Sequence, residues 1–225
     1  MKVRVLLATF AALAVGAAGG WALAADRDDD EPAPSPESVT VAPVPAEPSV
    51  PVDVVQPDPT DEPLAAGIEL TPEEVLSTPG PDDTTYQLTL PLPTGWTQND
   101  LSPTQWTYTV PGNSKTSYVL RVEIIAAEGM SVANAVIARK AELDSAVDQG
   151  NMRDLDVELF PTDDGFEATY LDSGGYRRVS VERWFAGPDG TAFATVGAVG
   201  REVDRVGLRD LVNRITRDKR TAQKP

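Results

Sequence analysis

Residues 154–199 read DLDVELFPTDDGFEATYLDSGGYRRVSVERWFAGPDGTAFATVGAV, and this stretch decides the architecture. Four runs rich in β-formers, at 154–160, 166–171, 176–185 and 191–199, are separated by TDDG at 162–165, DSGG at 172–175 and GPDG at 187–190. Asp and Gly in such short connectors supply the backbone conformations that hairpin turns require, so each run folds back on the one before it. Consecutive hairpins make an antiparallel sheet.

Upstream, Ser131 opens a helix that Gly150 ends, with Val132, Val136, Leu143 and Val147 on one stripe. Three further strands precede it, at 86–92, 105–110 and 117–126. In the last of these, Tyr118, Leu120, Val122 and Ile124 share one face while Val119, Arg121, Glu123 and Ile125 share the other. Downstream, residues 202–217 place Leu208, Leu211, Val212 and Ile215 at helical spacing, with Arg201, Arg205 and Arg209 on a different face. Thr71-Pro72-Glu73-Glu74 has a capping Thr, Pro at the first helical position and Glu at the third, and predicts a short helix closed by Pro79-Gly80-Pro81. The order (α)βββαββββα predicts an α/β protein of the α+β type: a single α-β-α sandwich with a mainly antiparallel sheet of about seven strands. That domain spans residues 67–219, followed by a basic disordered tail at 220–225. A chain of that size buries roughly 70% of its surface as one core.

The remainder of the chain is chemically different. Of 225 residues, 19 are Lys or Arg and 35 are Asp or Glu, for a net charge of −16, yet residues 26–83 alone hold 16 acids and a single base, Arg27. Thirteen of the 20 prolines lie between Pro32 and Pro81. Residues 26–66 therefore read as a disordered acidic spacer, too poor in apolar groups to offset its ordering entropy and extended by proline to about 3.1 Å per residue. Ahead of it, Lys2 and Arg4 precede an uncharged run at 5–25, long enough as a helix to span roughly 30 Å of hydrocarbon. Ala22-Leu23-Ala24 supplies the small-x-small pattern of a cleavage site, so residues 1–25 are a signal peptide or a signal-anchor. Either puts the N-terminus in the cytoplasm and everything beyond Asp26 outside, secreted or held by one pass through the membrane.

At this point the domain resembles the actinobacterial LpqN-type envelope proteins, including mycobacterial proline-rich secreted antigens, whose fold resembles the PsbP-like α-β-α sandwich. The resemblance covers about residues 67–215 and is carried by LTLPLPTGWTQ at 88–98, with the strand at 117–126 and Tyr176-Arg-Arg178 consistent with it. This chain departs from the lipidated members, having no Cys to accept a lipid. The resemblance implies a cell-envelope protein of a fold used more for binding than for catalysis.

Cys and His are both absent, which excludes disulfides, thiolate nucleophiles, Cys/His zinc sites and imidazole bases. Gly112-Asn-Ser-Lys115 lacks P-loop spacing, no Ser-x-x-Lys occurs, and Asp26-x-Asp28-x-Asp30 is followed by Glu31 and Pro32 where a calcium loop needs Gly. No cofactor is expected. The eight bases of residues 201–225 are interspersed with acids, and exported placement argues against nucleic acid. Trp96, Trp106 and Trp184 are expected to close the core, with one lining a ligand groove as the alternative.

The most suggestive polar pattern lies on two strands, with Arg121 and Glu123 on one face of the first and Arg178, Ser180, Glu182 and Trp184 on one face of the second. If the strands are neighbours, these charges pair across them at about 0.2–1 kcal/mol each. The functional version is a mixed-charge sheet face left partly uncovered by the helices and available to a protein or cell-wall partner. The expectation is a non-catalytic extracytoplasmic binding module; the alternatives are a carboxylate- or Ser-dependent envelope hydrolase and a passive structural or antigenic secreted protein.

Overall fold

The computed structural model describes residues 55–71, 74–80, 83–126 and 129–224. The expected signal segment at 1–25 and the expected spacer up to residue 54 lie outside them. Five strands come first: β1 (Glu74–Pro79), β2 (Thr85–Leu90), β3 (Thr97–Ser102), β4 (Gln105–Thr109) and β5 (Val119–Ile124). Helix α1 (Val132–Asp148) leads to the meander β6 (Met152–Leu159), β7 (Gly165–Asp172), β8 (Arg177–Ala186) and β9 (Ala192–Gly200). A 3-10 turn at Glu202–Asp204 opens α2 (Arg205–Arg217), and β10 (Arg220–Lys224) ends the described chain.

The protein is α+β, with two helices and two antiparallel sheets. Seven strands run in the order β3-β4-β5-β9-β8-β7-β6, and three in the order β1-β2-β10. The hairpins expected from the turn residues all form, and β5 closes the large sheet by pairing with β9, Arg121 opposite Gly197 and Glu123 opposite Thr195.

Alternation along the strands decides which face is which. Trp106 and Tyr108 of β4, Leu120, Val122 and Ile124 of β5 and Val179 and Val181 of β8 point to one side. There they meet Leu208, Leu211, Val212 and Ile215 of α2 and Leu76, Tyr86, Leu88 and Leu90 of the small sheet in a single apolar cluster. On the opposite side α1 lies against β6 and β8, where Ala135, Val136 and Leu143 cover Phe166, Ala168 and Trp184. Ser131 caps α1 as its sequence predicts, accepting from the Asn134 amide at 3.2 Å.

The structure corrects three expectations. The helix at Thr71 is strand β1, with Leu76 and Thr78 buried and Val75 and Ser77 outward at the period of a strand. Thr71 does cap something, but it is a strand pair: its amide and hydroxyl both donate to the Leu92 carbonyl, and its Oγ1 accepts from the Leu92 amide. The tail at 220–225 contributes β10, because a basic sequence still has the backbone groups that the second edge of β2 requires, and Arg220 pairs with Thr89. The domain also begins before Gly67.

The last of these corrections concerns a proline-rich segment that docks. Gln56 donates its amide to Gly175 at 2.9 Å, Leu64 is buried, Gly67 donates to Asp210 at 2.7 Å, and Arg214 donates to the Ile68 carbonyl at 2.8 Å. Proline removes N–H donors but leaves every carbonyl free, so such a segment suits a donor-rich partner. That partner is Arg201, 1% exposed, whose guanidinium binds the carbonyls of Pro59, Asp61 and Glu62 at 2.7, 2.9 and 3.3 Å. Asp204 completes the knot by accepting from Arg201 at 2.8 and 2.9 Å and from the Leu64 amide at 2.8 Å. Gly207 of α2 lets the strap lie close: a Cβ there would stand 2.0 Å from the Leu64 carbonyl oxygen. Gly207→Ala is therefore expected to push the strap off α2 and cost about 1–3 kcal/mol, read as a lower melting temperature with faster proteolysis between residues 56 and 66.

Candidate functional site

α1 makes its main contacts with β6 and β8, so the β3-β4-β5 end of this face is the more open one, although Ile125 after β5 and Ala192 of β9 still pack in the cluster with α1. Thr107, Thr109, Arg121, Glu123 and Thr195 are half-buried on this face. Of the mixed-charge face that the strand pattern anticipates, Arg121 and Glu123 lie here, while Arg178, Ser180, Glu182 and Trp184 are buried on β8.

The structure puts all six candidate residues on this side of the sheet, but β9 stands between β5 and β8, so Arg121 and Glu182 are not cross-strand neighbours. The bridge runs over Gly197, opposite Arg121 on β5 and opposite Glu182 on β8. With no side chain at that position, Glu182 leans across: its Cγ would lie 3.1 Å from a Cβ at residue 197. Arg121 is near enough to pull the pKa of both Glu182 and Glu123 downward.

Arg139 of α1 organises the covered end of the network. Its Nε and Nη2 donate to Glu182 at 3.1 and 3.3 Å and its Nη1 to Glu142 at 2.9 Å, while Ser180 Oγ donates to Glu182 at 2.9 Å. Burial pushes Glu182 up, but Arg139, Arg121 and Ser180 outweigh it and hold the carboxyl below its ordinary range. Glu123 ends on the other side of the balance. Burial raises it against the opposing pull of Arg121, of Arg139 and of the Gln105 amide, which donates at 3.1 Å.

Arg178 and Trp184 take other parts. Arg178 is buried and donates Nη1 to the Thr116 carbonyl, tying β8 to the loop before β5. Trp184 packs against Phe166 with ring centroids 5.6 Å apart. Trp106 is likewise buried, and the half-buried Trp96 lies 5.7 Å from Tyr118, so the three tryptophans close cores and seams. Trp184 also borders a cavity of about 410 Å³ with Asp164, Arg183, Asn213 and Lys219.

Sequence reasoning missed two side chains here. Arg139 falls three residues after Val136 and four before Leu143, a lone charge set into the apolar stripe of α1, and that misfit was the signal for it. Thr195 carries no such signal. Its Oγ1 and the Nε of Arg121 are both shielded from water without a hydrogen-bond partner among the described residues.

The chain matches no protein-family model and no curated protein. Among solved structures it is similar to the Ran-binding protein Mog1p of Saccharomyces cerevisiae, at 8% identity and a TM-score of 0.43, over 59% of this chain and 89% of that one. A mutant of Protein Mog1 matches with the same values.

Proposed function

We propose that this protein is a non-catalytic extracytoplasmic module that binds a protein or cell-envelope component through the more open end of its large sheet. The observation that carries the reading is a polar, half-buried strip of sheet, built of Thr107, Arg121, Glu123 and Thr195, that lies away from the main contacts of either helix. The apolar run at residues 5–25 and the acidic, proline-rich stretch after it support placement outside the membrane, as does the resemblance of residues 88–98 to LpqN-type envelope proteins.

The hydrolase alternative calls for an acid of raised pKa beside an enclosed polar cavity. Glu123 supplies the raised carboxyl, yet it sits on an open sheet, and the cavities of about 410 and 340 Å³ are lined by other residues. A binding surface is the better fit.

Affinity capture from envelope extract with the full-length protein tests the reading. The expected outcome is a partner enriched by the wild-type chain and lost with Arg121→Met at unchanged melting temperature. Retention of every partner by that variant would remove the sheet face from consideration. Placement is tested separately, by a reporter fused after Glu31 and by mass spectrometry of the mature N-terminus; a reporter confined to the cytoplasm would end the extracytoplasmic proposal.

A further inference from the structure

Resting on that reading of the open sheet face, we propose that its ligand is the carboxyl end of a peptide laid along β5, with the terminal carboxylate on Arg121 and the nitrogen of the preceding residue on Glu123. The charges of the network divide into a spent trio and a pair with donor and acceptor positions to spare. Arg139 is committed to Glu182 and Glu142, and Glu182 also takes the Ser180 hydroxyl. Arg121 and Glu123 are what the face still presents to solvent, a cation and an anion two residues apart on one side of one strand.

That separation is two strand residues, about 7 Å. An extended dipeptide unit places its terminal carboxylate and the nitrogen of its penultimate residue about as far apart, because it is built at the same pitch. Arg121, half-buried on this face, presents a forked set of donors, matched by a carboxylate. Glu123 accepts one bond from Gln105 and has acceptor positions left for an ammonium or amide N–H. Thr195 lies directly across from Glu123 and lines the same strip of the sheet.

Charge complementarity selects against the other ligands of an arginine. A phosphate dianion on Arg121 would be repelled by Glu123 beside it and by Glu182 beyond Gly197, and a simple cation on Glu123 would meet Arg121. A carboxylate at residue 121 followed by an N–H donor at residue 123 suits both, and a free dipeptide, whose donor is an ammonium, suits them best. The residues opposite Arg121 are Thr107 on β4 and Gly197 on β9, so the floor is low enough for a peptide backbone to approach.

The test titrates the full-length protein in detergent solution with L-alanyl-L-alanine, its C-terminal amide and its N-acetyl derivative, followed by calorimetry and by backbone amide shifts of β5 and β9. The expected result is saturable binding near about 1 mM for the free dipeptide, weakened at least about tenfold by amidation and severalfold by acetylation. Arg121→Met reproduces the effect of amidation and Glu123→Gln part of that of acetylation. No saturable change up to about 50 mM dipeptide overturns the proposal, as does equal binding of the amide and the free acid. The two ligand-side comparisons need no variant, so they stand even where a substitution unfolds the chain. If dipeptides fail while Arg121→Met still abolishes capture of the extract partner, the peptide assignment alone falls; if that capture is indifferent to Arg121, the wider reading falls with it.

Discussion

Arg201→Met is expected to lower the melting temperature by roughly 8–15 °C, the largest effect of any single substitution proposed for this chain. The substitution leaves Asp204, fully buried, without its counter-ion, and removes the donors that hold the carbonyls of Pro59, Asp61 and Glu62. Breaking a buried ion pair from one side costs about 3–5 kcal/mol, and a domain of this size loses about 2–4 °C per kcal/mol. The strap should detach before the sheet unfolds, so proteolysis between residues 56 and 66 is the second readout. A double variant, Arg201→Met with Asp204→Leu, should recover only part of the loss, because the Leu64 amide and the strap carbonyls stay unpaired. Acid is expected to act on the same knot. Burial raises Asp204, but Arg201 and the amides of Leu64 and Arg201 prevail and hold it below its ordinary value. Its contribution is therefore complete above an unfolded-state carboxyl near pH 3.9 and is lost as pH falls further through the depressed folded value. A strap that detached equally at pH 7 and pH 3 would contradict this account.

Arg139→Met is the second large effect, at about 3 kcal/mol, because Glu182 keeps Ser180 and the field of Arg121 but loses a two-pronged partner. Its signature is a change in the direction of the pH response. In the wild type Glu182 is held low, so its stabilisation is present above an unfolded value near pH 4.3 and fades as pH falls through the folded one. Without Arg139, burial dominates and the folded value rises above 4.3, so the variant binds a proton more readily folded than unfolded. The deficit of the variant relative to the wild type should then shrink as the solution is acidified from about pH 7 to pH 4. Adding Glu182→Gln to Arg139→Met should restore much of the neutral-pH loss, with a coupling energy of about 1–3 kcal/mol. A deficit independent of pH would show that Arg139 contributes through packing of its stem instead.

The parts of the fold that announce themselves in sequence are those where side chains alternate. β4, β5, β8 and β9 carry their apolar residues at period two, and the turns between β6 and β9 use Asp and Gly, so their existence and pairing follow from local chemistry. β3 has no such mark: TQNDLS is exposed throughout, an edge strand held by backbone pairing to β4. β1 was obscured by a genuine capping pattern at Thr71–Glu74 whose hydroxyl serves Leu92 instead. For the site, the strand faces showed which charges look the same way, but the intervening strand, and hence the role of Gly197, is set by the crossover from β5 through α1 to β6, which no local pattern encodes. Arg201 was the hardest to foresee. Its partners are main-chain carbonyls some 140 residues away, and carbonyls are the same in every sequence.

The strap also determines where the molecule would feel a mechanical load. Tension drawn along the chain from before Gln56 meets first its hydrogen bond to Gly175 in the β7–β8 turn and then Arg201 at the end of β9, a strand with β5 on one side and β8 on the other. It does not reach β3 or β6, the outer strands that could be peeled away one hydrogen bond at a time. An inner strand yields only by shearing two ladders together, so a domain suspended by this lead resists pulling at its middle, as a picture hangs from its centre and not its corner.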